Sequence, residues 1–573
     1  MLKIENVNFK YPGQKENTLN NLSLEINEGT FLAIVGSNGS GKSTMCKLFN
    51  GIIPHFFVGD VEGKISVDEV DTLTSSVSHL STKVGYVYQD FENSIVRPTV
   101  LDEVSFPALN NGYEDYKERA IEALEILDLI HLKDDYVWQL SGGQKHLVAL
   151  AAVLSTKPKY IIIDEPVAQL DPFHARKTYE KLKLLNEKYK ITIIVIEHHT
   201  EFIADYCKEV VLVNKGKVRW KKDVKSALSS VEELVECNIF PPQVTQVAYN
   251  LYGNSTKELP ITIEEGKEFF SKEEIFVKTY CEENEQDLVE TVAFENLAAG
   301  YKDYNKNNKI IIENMNVKFY ENERIAVVGN NGAGKSTMLK IISRLVKPVS
   351  GDVRINGESI VNKSPEEVCN KVSYIQQNPE EMFIDDTIEK DVAYFLKSRR
   401  VENYEEIVEE ILEKLNLMEI KDKDARLLSG GQQRRVSLAI GMGMTPEVII
   451  LDEPTASLDI NSRRELLKLL EILKKYIKTS IIATHDMQLV ADWATRVIVM
   501  NQGRIIFDGN TKELFKNKEV LEKANLVPQQ IVQLSHALDL KEVCLSIDDM
   551  LLNFGDIKCF DNTSLKGSKI LSR

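Results

Sequence analysis

Long hydrophobic runs are missing from this sequence. Its longer apolar stretches, such as Ile191 to Ile196, have strand length, far below the ~18 residues a membrane helix needs. Met1 to Phe9 lacks the basic and apolar regions of a secretory leader, so the chain is expected to stay in the cytosol. Cysteine is sparse and odd in number: Cys46, Cys207, Cys237, Cys281, Cys369, Cys544 and Cys559 are scattered, with no C-x-x-C pair. That pattern argues against a disulfide framework or a zinc site, and reduced thiols are expected. An excess of positive charge is missing too. Lys and Arg number 70 against 87 Asp and Glu, a net charge of −17, which argues against a nucleic-acid surface. The acidity is local: Lys257 to Glu290 carries a net −7 and Val401 to Asp424 a net −6.

What is present is ordinary for a globular chain: 43% apolar and 27% charged residues. A length of 573 residues fits about four domains. Internal repeats organise them. Gly36-Ser-Asn-Gly-Ser-Gly-Lys42-Ser-Thr44 returns as Gly329-Asn-Asn-Gly-Ala-Gly-Lys335-Ser-Thr337. Leu140-Ser-Gly-Gly-Gln144 returns as Leu428-Ser-Gly-Gly-Gln432, and Ile163-Asp-Glu-Pro166 as Leu451-Asp-Glu-Pro454. Glu5 to Tyr11 matches Glu295 to Tyr301, Val84 to Gln89 matches Val372 to Gln377, and Pro241 to Val247 matches Pro528 to Leu534. The period is too long for a solenoid and means two copies of one domain. The boundaries are a first core over 1–222, its C-terminal element over 223–255, and an acidic spacer over 256–290. A second core then spans 291–512, followed by its own C-terminal element and polar tail over 513–573.

Within a copy, short apolar runs such as Phe31 to Val35, Tyr160 to Ile163 and Thr192 to Ile196 alternate with helical patterns. Such alternation predicts an α/β fold with a parallel sheet flanked by helices. Between Gln89 and Leu140 the pattern is helical, a subdomain inserted before the last strands.

Gly36 to Ser43 fits G-x-x-x-x-G-K-[ST] between a strand and a helix. Gly36, Asn38, Gly39 and Gly41 let backbone amides converge on phosphate oxygens, aided by the helix dipole. Lys42 reaches the β- and γ-phosphates, Ser43 ligates Mg²⁺, and Thr44 completes the motif. Gly329, Asn331, Gly332, Gly334, Lys335, Ser336 and Thr337 repeat these roles. Asp164 and Asp452 end apolar strands, where a carboxylate holds the metal's outer shell. Glu165 and Glu453 follow, placed to orient or deprotonate a water that attacks the γ-phosphate.

Leu-Ser-Gly-Gly-Gln between a P-loop and an Asp-Glu strand resembles the signature of ABC ATPases, and the resemblance covers both copies. It implies two tandem P-loop ATPase domains binding ATP and Mg²⁺ at composite sites. The P-loop of one domain and the signature of the other would enclose one ATP. Site one would join Lys42, Gln89, Asp164, Glu165 and His198 to Ser429, Gly430, Gly431 and Gln432. Site two would join Lys335, Gln377, Asp452, Glu453 and His485 to Ser141, Gly142, Gly143 and Gln144. In the family Gln89 and Gln377 sense Mg²⁺ and the membrane partner, and Tyr11 and Tyr301 stack on adenine. His485, in Thr-His-Asp, matches the family's switch histidine. Glu197-His-His199 departs from that pattern; strand alignment favours His198 over His199. The D-loops, ending at Asp171 and Asp459, also differ. Two hydrolytic sites are expected; the differences between them raise the hypothesis of unequal turnover.

Three features resemble the energy-coupling-factor ATPases of vitamin and transition-metal uptake. The first is the run Glu92 to Val96 with Thr99 to Phe106, matched by Glu380 to Ile384 with Thr387 to Tyr394. In that family it lines the groove for a coupling helix of the membrane subunit, to which Glu92 and Glu380 would offer carboxylates. Copy two keeps Asn378-Pro379 where copy one has Asp90-Phe91. The second feature is the Pro-Pro-Gln tail element, and the third is the fusion of two ATPases. The resemblance implies a peripheral motor at the cytoplasmic face of the membrane, with a transmembrane coupling subunit and a substrate-binding membrane protein as partners. Its two domains would pair within one chain. The alternatives are another type of ABC importer, and a duplicated ABC ATPase acting on ribosomes. The acidic spacer is a poor RNA ligand and weighs against the latter.

Overall fold

The computed structural model describes residues 1–167, 170–253, 258–271, 289–302, 308–456, 458, 460–474 and 476–554. They form two compact units, divided after residue 276, with Phe554 grouped with the first.

The first unit holds two sheets. Strands Leu19–Ile26, Leu2–Lys10, Asp60–Val67 and Val70–Asp71 lie in that order in an antiparallel sheet. The other sheet has six strands, ordered Lys217–Asp223, Glu209–Asn214, Phe31–Val35, Thr192–Ile196, Tyr160–Asp164 and Val84–Val87. All its pairings are parallel except that of Lys217–Asp223, at the edge. Its central strands are buried on both faces, which is why they read as nearly continuous apolar runs. Side chains alternate across the sheet. Phe31, Ala33 and Val35 pack with the helical subdomain, against Val104, Leu124 and Val148. Leu32 and Ile34 pack on the other side, with Met45, Leu48 and Phe49 of the P-loop helix and with the antiparallel sheet.

The second unit repeats this design. Its parallel sheet has the order Val372–Ile375, Val448–Asp452, Thr479–Thr484, Arg324–Val328, Arg496–Asn501 and Arg504–Asn510. Ala326 and Val328 face the helical side, and Ile325 and Val327 face the P-loop helix. In each unit the P-loop strand is central, so the phosphate loop leaves the sheet between neighbours on both sides.

The stretch read as an acidic spacer contains a helix. Ile263–Phe270 is a helix, capped where the Thr262 hydroxyl accepts the Glu265 amide at 3.3 Å. Its acidic first turn suits the helix dipole, and Phe270 is buried. Residues 272–288 lie outside the described residues, as do Cys281, Cys559 and the polar tail from residue 555. Cys46, Cys207, Cys237, Cys369 and Cys544 are free thiols. Among the described residues no helix is long and apolar enough to cross a membrane.

Candidate functional site

The strand Phe31–Val35 runs through residues 36–41 into the helix Lys42–Phe49, and Arg324–Val328 runs likewise into Lys335–Ile342. A Cβ on Gly36 would lie 2.2 Å from the Val213 carbonyl oxygen, and one on Gly329 2.3 Å from that of Met500. The loop therefore passes its neighbouring strand only as glycine. Gly41 and Gly334 enter their helices at φ 100° and 102°, in the region that favours glycine. Gly39 and Gly332 also take positive φ, and Asn38 and Asn331 are exposed on the loops. Lys42 Nζ donates to the Gly36 and Ser37 carbonyls at 2.7 and 3.0 Å. Lys335 Nζ donates to Gly329 and Asn330 at 2.6 and 3.3 Å. Each buried ammonium thus sits over a cradle of amides that suits a polyphosphate. The Tyr11 and Tyr301 hydroxyls hydrogen-bond with Thr44 and Thr337 at 3.2 and 3.3 Å, anchoring both rings at the P-loop helix.

Ser43 hydrogen-bonds to Asp164, and Ser336 Oγ donates to Asp452 Oδ1 at 3.2 Å. Tyr86 donates to Asp164 Oδ2 at 3.0 Å, and Tyr374 donates to the other oxygen of Asp452, Oδ2, at 2.8 Å. Burial raises the pKa of both aspartates against the pull of these hydroxyls. Serine hydroxyl, carboxylate and glutamine amide are hard oxygen donors, a set that fits Mg²⁺.

Glu165 and Glu453 follow at φ 53° and 45°, left-handed positions uncommon for a glutamate. Their amides donate to the Ile196 and Ala483 carbonyls at 3.0 and 2.8 Å, which pins the turn. The side chains have different company in the two units. Gln89 Nε2 donates to Glu165 Oε2 at 2.6 Å, and His198 Nε2 lies 3.4 Å from Glu165 Oε1. In the second unit His485 Nδ1 lies 3.0 Å from Glu453 Oε2, and Lys335 Nζ 3.8 Å from Oε1. Burial opposes ionisation of Glu453, yet His485 and Lys335 outweigh it and hold this carboxyl below its ordinary range. Burial opposes protonation of His485 as well, and Glu453 in turn raises it.

His198 is thus the histidine set against the glutamate. His199 instead stands at the N-cap position of the next helix, and its ring packs edge-on against Phe202. The reason is buried Glu197, whose Oε1 accepts the His198 and His199 amides at 2.8 and 2.9 Å while Oε2 accepts the Tyr179 hydroxyl at 2.7 Å. In the second unit Asp486, after the histidine, is the acid that fixes the turn. It accepts from Gln488, Leu489, Thr455 and Arg463.

The signature residues form a separate group. Ser141 and Ser429 are exposed helix caps. The Ser141 amide donates to Gln144 Oε1 at 3.0 Å, and the Ser429 amide to Gln432 Oε1 at 3.2 Å. Gln144 and Gln432 therefore serve a capping box, and Gly142, Gly143, Gly430 and Gly431 form the first turn, whose amides have no intrahelical partner. Of the D-loops, residues 168, 169, 457 and 459 lie outside the described residues.

Sequence reasoning missed Tyr86 and Tyr374. Both stand three residues before the glutamine in the repeated runs Val84–Gln89 and Val372–Gln377, so the repeat carried the signal.

A phosphate cradle with a buried lysine, a hydroxyl–aspartate pair and an adjoining glutamate define a P-loop nucleoside-triphosphate hydrolase, present twice. The profile of the ABC transporter family matches residues 19–168 and 312–456. An ABC transporter ATP-binding protein of Clostridium perfringens is 32% identical over 566 residues, covering 96% of this chain and 98% of that one. One of Caldanaerobacter subterraneus subsp. tengcongensis is 31% identical over 558 residues, covering 96% and 98%. Among solved structures, the archaeal ribosome recycling factor aABCE1, in complex with the stalk protein aP1, superposes with a TM-score of 0.55. It is 20% identical and covers 87% of this chain and 89% of its own, a likeness of fold. The chain belongs to the ABC transporter family: it is a tandem ABC ATPase that binds and hydrolyses ATP with Mg²⁺.

Proposed function

We propose that this chain is the ATP-hydrolysing motor of an energy-coupling-factor-type importer, driving uptake of a vitamin, a vitamin precursor or a transition metal through separate membrane subunits. The surface that follows each glutamine loop carries this reading. Glu103 Oε2 accepts the Val96 and Arg97 amides at 2.9 and 2.7 Å. Asp391 Oδ1 accepts the Ile384 and Asp385 amides, both at 2.8 Å. In each unit a buried helix acid thus fixes the loop and leaves an apolar side chain outward: Val96 is 60% exposed and Ile384 61%. A lone exposed apolar residue means little; the same device at the same place in both units supports a docking ridge for a partner helix. Glu92 and Glu380 stand at the front of this ridge. Glu92 pairs with Lys145 at 2.7 Å, and Glu380 accepts from Gln433 at 3.2 Å, so a basic partner would compete for both carboxylates.

At each ATP site the lysine and loop amides hold the phosphates, and Glu165 or Glu453 orients the attacking water. Ser43, Gln89 and Asp164, and in the second unit Ser336, Gln377 and Asp452, would hold Mg²⁺, which would supply positive charge against the polyphosphate. In this reading Ser141 to Gln144 and Ser429 to Gln432 would each complete the ATP site of the other unit, the two domains pairing within one chain at the cytoplasmic face of the membrane. Purification of the chain with its native membrane partners, followed by identification of the retained small molecule, tests this reading. Co-purification with ribosomes and no membrane partner would sink it. The ribosomal alternative shares the fold with aABCE1, and the net −7 of Lys257 to Glu290 leaves it without a basic RNA-binding spacer.

A further inference from the structure

We propose that Arg434 is a positioning residue that locks the second glutamine loop to the signature helix of its own unit, and that the first loop works without this lock. Arg434 lies in the second turn of the helix Gly430–Gly443 and is 3% exposed. Its Nη1 donates to the Gln376 carbonyl at 2.8 Å and its Nη2 to the Gln377 carbonyl at 2.6 Å. Two charge-assisted bonds from one planar group fix direction as well as distance. Burial lowers the guanidinium pKa to about 10, against the pull of Asp452, so the group stays charged at neutral pH.

In the first unit the matching residue is His146, 2% exposed, with no hydrogen-bond partner on either ring nitrogen. Its ring packs on Phe91 with centres 5.1 Å apart, and Phe91 stands where the second unit has Pro379. The exchange therefore involves a pair: arginine with proline, histidine with phenylalanine. Burial lowers the His146 pKa to about 4, so it is neutral and offers no cation in arginine's place. Gln89 is held instead through its side chain, by the 2.6 Å bond to Glu165.

The helix that carries Arg434 begins at the signature. In the paired-site reading Arg434 therefore joins Gln377, of one ATP site, to the helix of Ser429, of the other; in the first unit the signature helix meets the loop beyond Gln89, through Lys145–Glu92 and His146–Phe91 instead. This consequence rests on the paired-site reading given above, whereas the lock itself does not.

Hydrogen exchange on the full chain tests the lock. Arg434→Met is expected to speed amide exchange across 376–380 about tenfold, with 324–328 and 448–452 unchanged. Arg434→Lys is expected to recover part of the protection. Mg²⁺ half-saturation of ATP hydrolysis should rise more than kcat falls. Unchanged exchange at 376–380, or a rise spread evenly over the unit, overturns the proposal. Should Arg434→Met fail to fold, the transfer pair Phe91→Pro with His146→Arg decides: slowed exchange across 88–92 supports the lock, and no slowing overturns it. Gln377→Ala tests the glutamine-loop reading separately. If it leaves the Mg²⁺ dependence unmoved, that reading fails while the exchange result on Arg434 stands.

Discussion

Tyr374 donates its phenol hydrogen to Asp452 Oδ2 at 2.8 Å, as Tyr86 does to Asp164 at 3.0 Å. Burial and the adjacent carboxylate raise both phenols well above their ordinary pKa, so they remain donors at neutral pH. Tyr374→Phe or Tyr86→Phe keeps the ring and leaves one oxygen of a buried carboxylate without a donor. The expected cost is about 1–2 kcal/mol in unfolding free energy. Mg²⁺ half-saturation should rise several-fold. Thermal melts and Mg²⁺ titrations of ATPase activity check both; an unchanged Mg²⁺ titration would mean the phenols do not orient the aspartates.

Glu165 and Glu453 differ in their surroundings, so their loss should differ in effect. Glu165→Gln and Glu453→Gln are each expected to lower turnover at their own site by about 10²–10³, with unequal residual ATPase in the whole chain. Matching residual rates would show that the Gln89 bond on one side and the His485 contact on the other make no kinetic difference.

The His485–Glu453 pair gives a pH signature. The folded-state pKa of His485 lies above the ordinary imidazole value of 6.5, so its stabilising effect is full below 6.5 and fades as pH rises through the raised folded value. The folded-state pKa of Glu453 lies below 4.5, so its effect is present above 4.5 and fades as pH falls through the lowered value. The gap in stability between the natural chain and His485→Gln should therefore be widest between these limits and close toward alkaline pH. Denaturant midpoints measured across that range check the prediction. A gap that widens above neutrality contradicts it.

The ridge after each glutamine loop predicts a separation of functions. Val96→Arg and Ile384→Arg place charge on exposed positions outside the ATP site. Basal ATPase and melting temperature should hold, while capture of the membrane subunit falls at least tenfold. Asp391→Ala removes the acceptor of two amides and should cost about 2 kcal/mol in stability besides. Undiminished capture by both arginine variants would remove the ridge from the interface.

Local motifs were legible in the sequence because local geometry fixes their spacing. The P-loop glycines, the strand-end Asp-Glu pairs and the signature caps each work within a few residues. The alternating buried strands were legible for the same reason. Relations across long stretches of chain were not: Tyr86 meets its aspartate from 78 residues away. The helix Ile263–Phe270 was hidden by its acids, since charge counting does not register the Thr262 cap or the buried Phe270. Arg434 left no trace in the repeat, because the first copy has histidine there. Strand alignment favours His198 over His199, while the grip of Glu197 on both amides needed the structure.

The positive φ at Glu165 and Glu453 has an evolutionary side. A left-handed backbone costs a residue other than glycine or asparagine about 1–2 kcal/mol. Asparagine or glycine at these two positions would relax the chain and disable it in the same stroke. Selection for heat resistance alone would therefore erode both glutamates, and only a cell that needs the work of ATP hydrolysis keeps them in place.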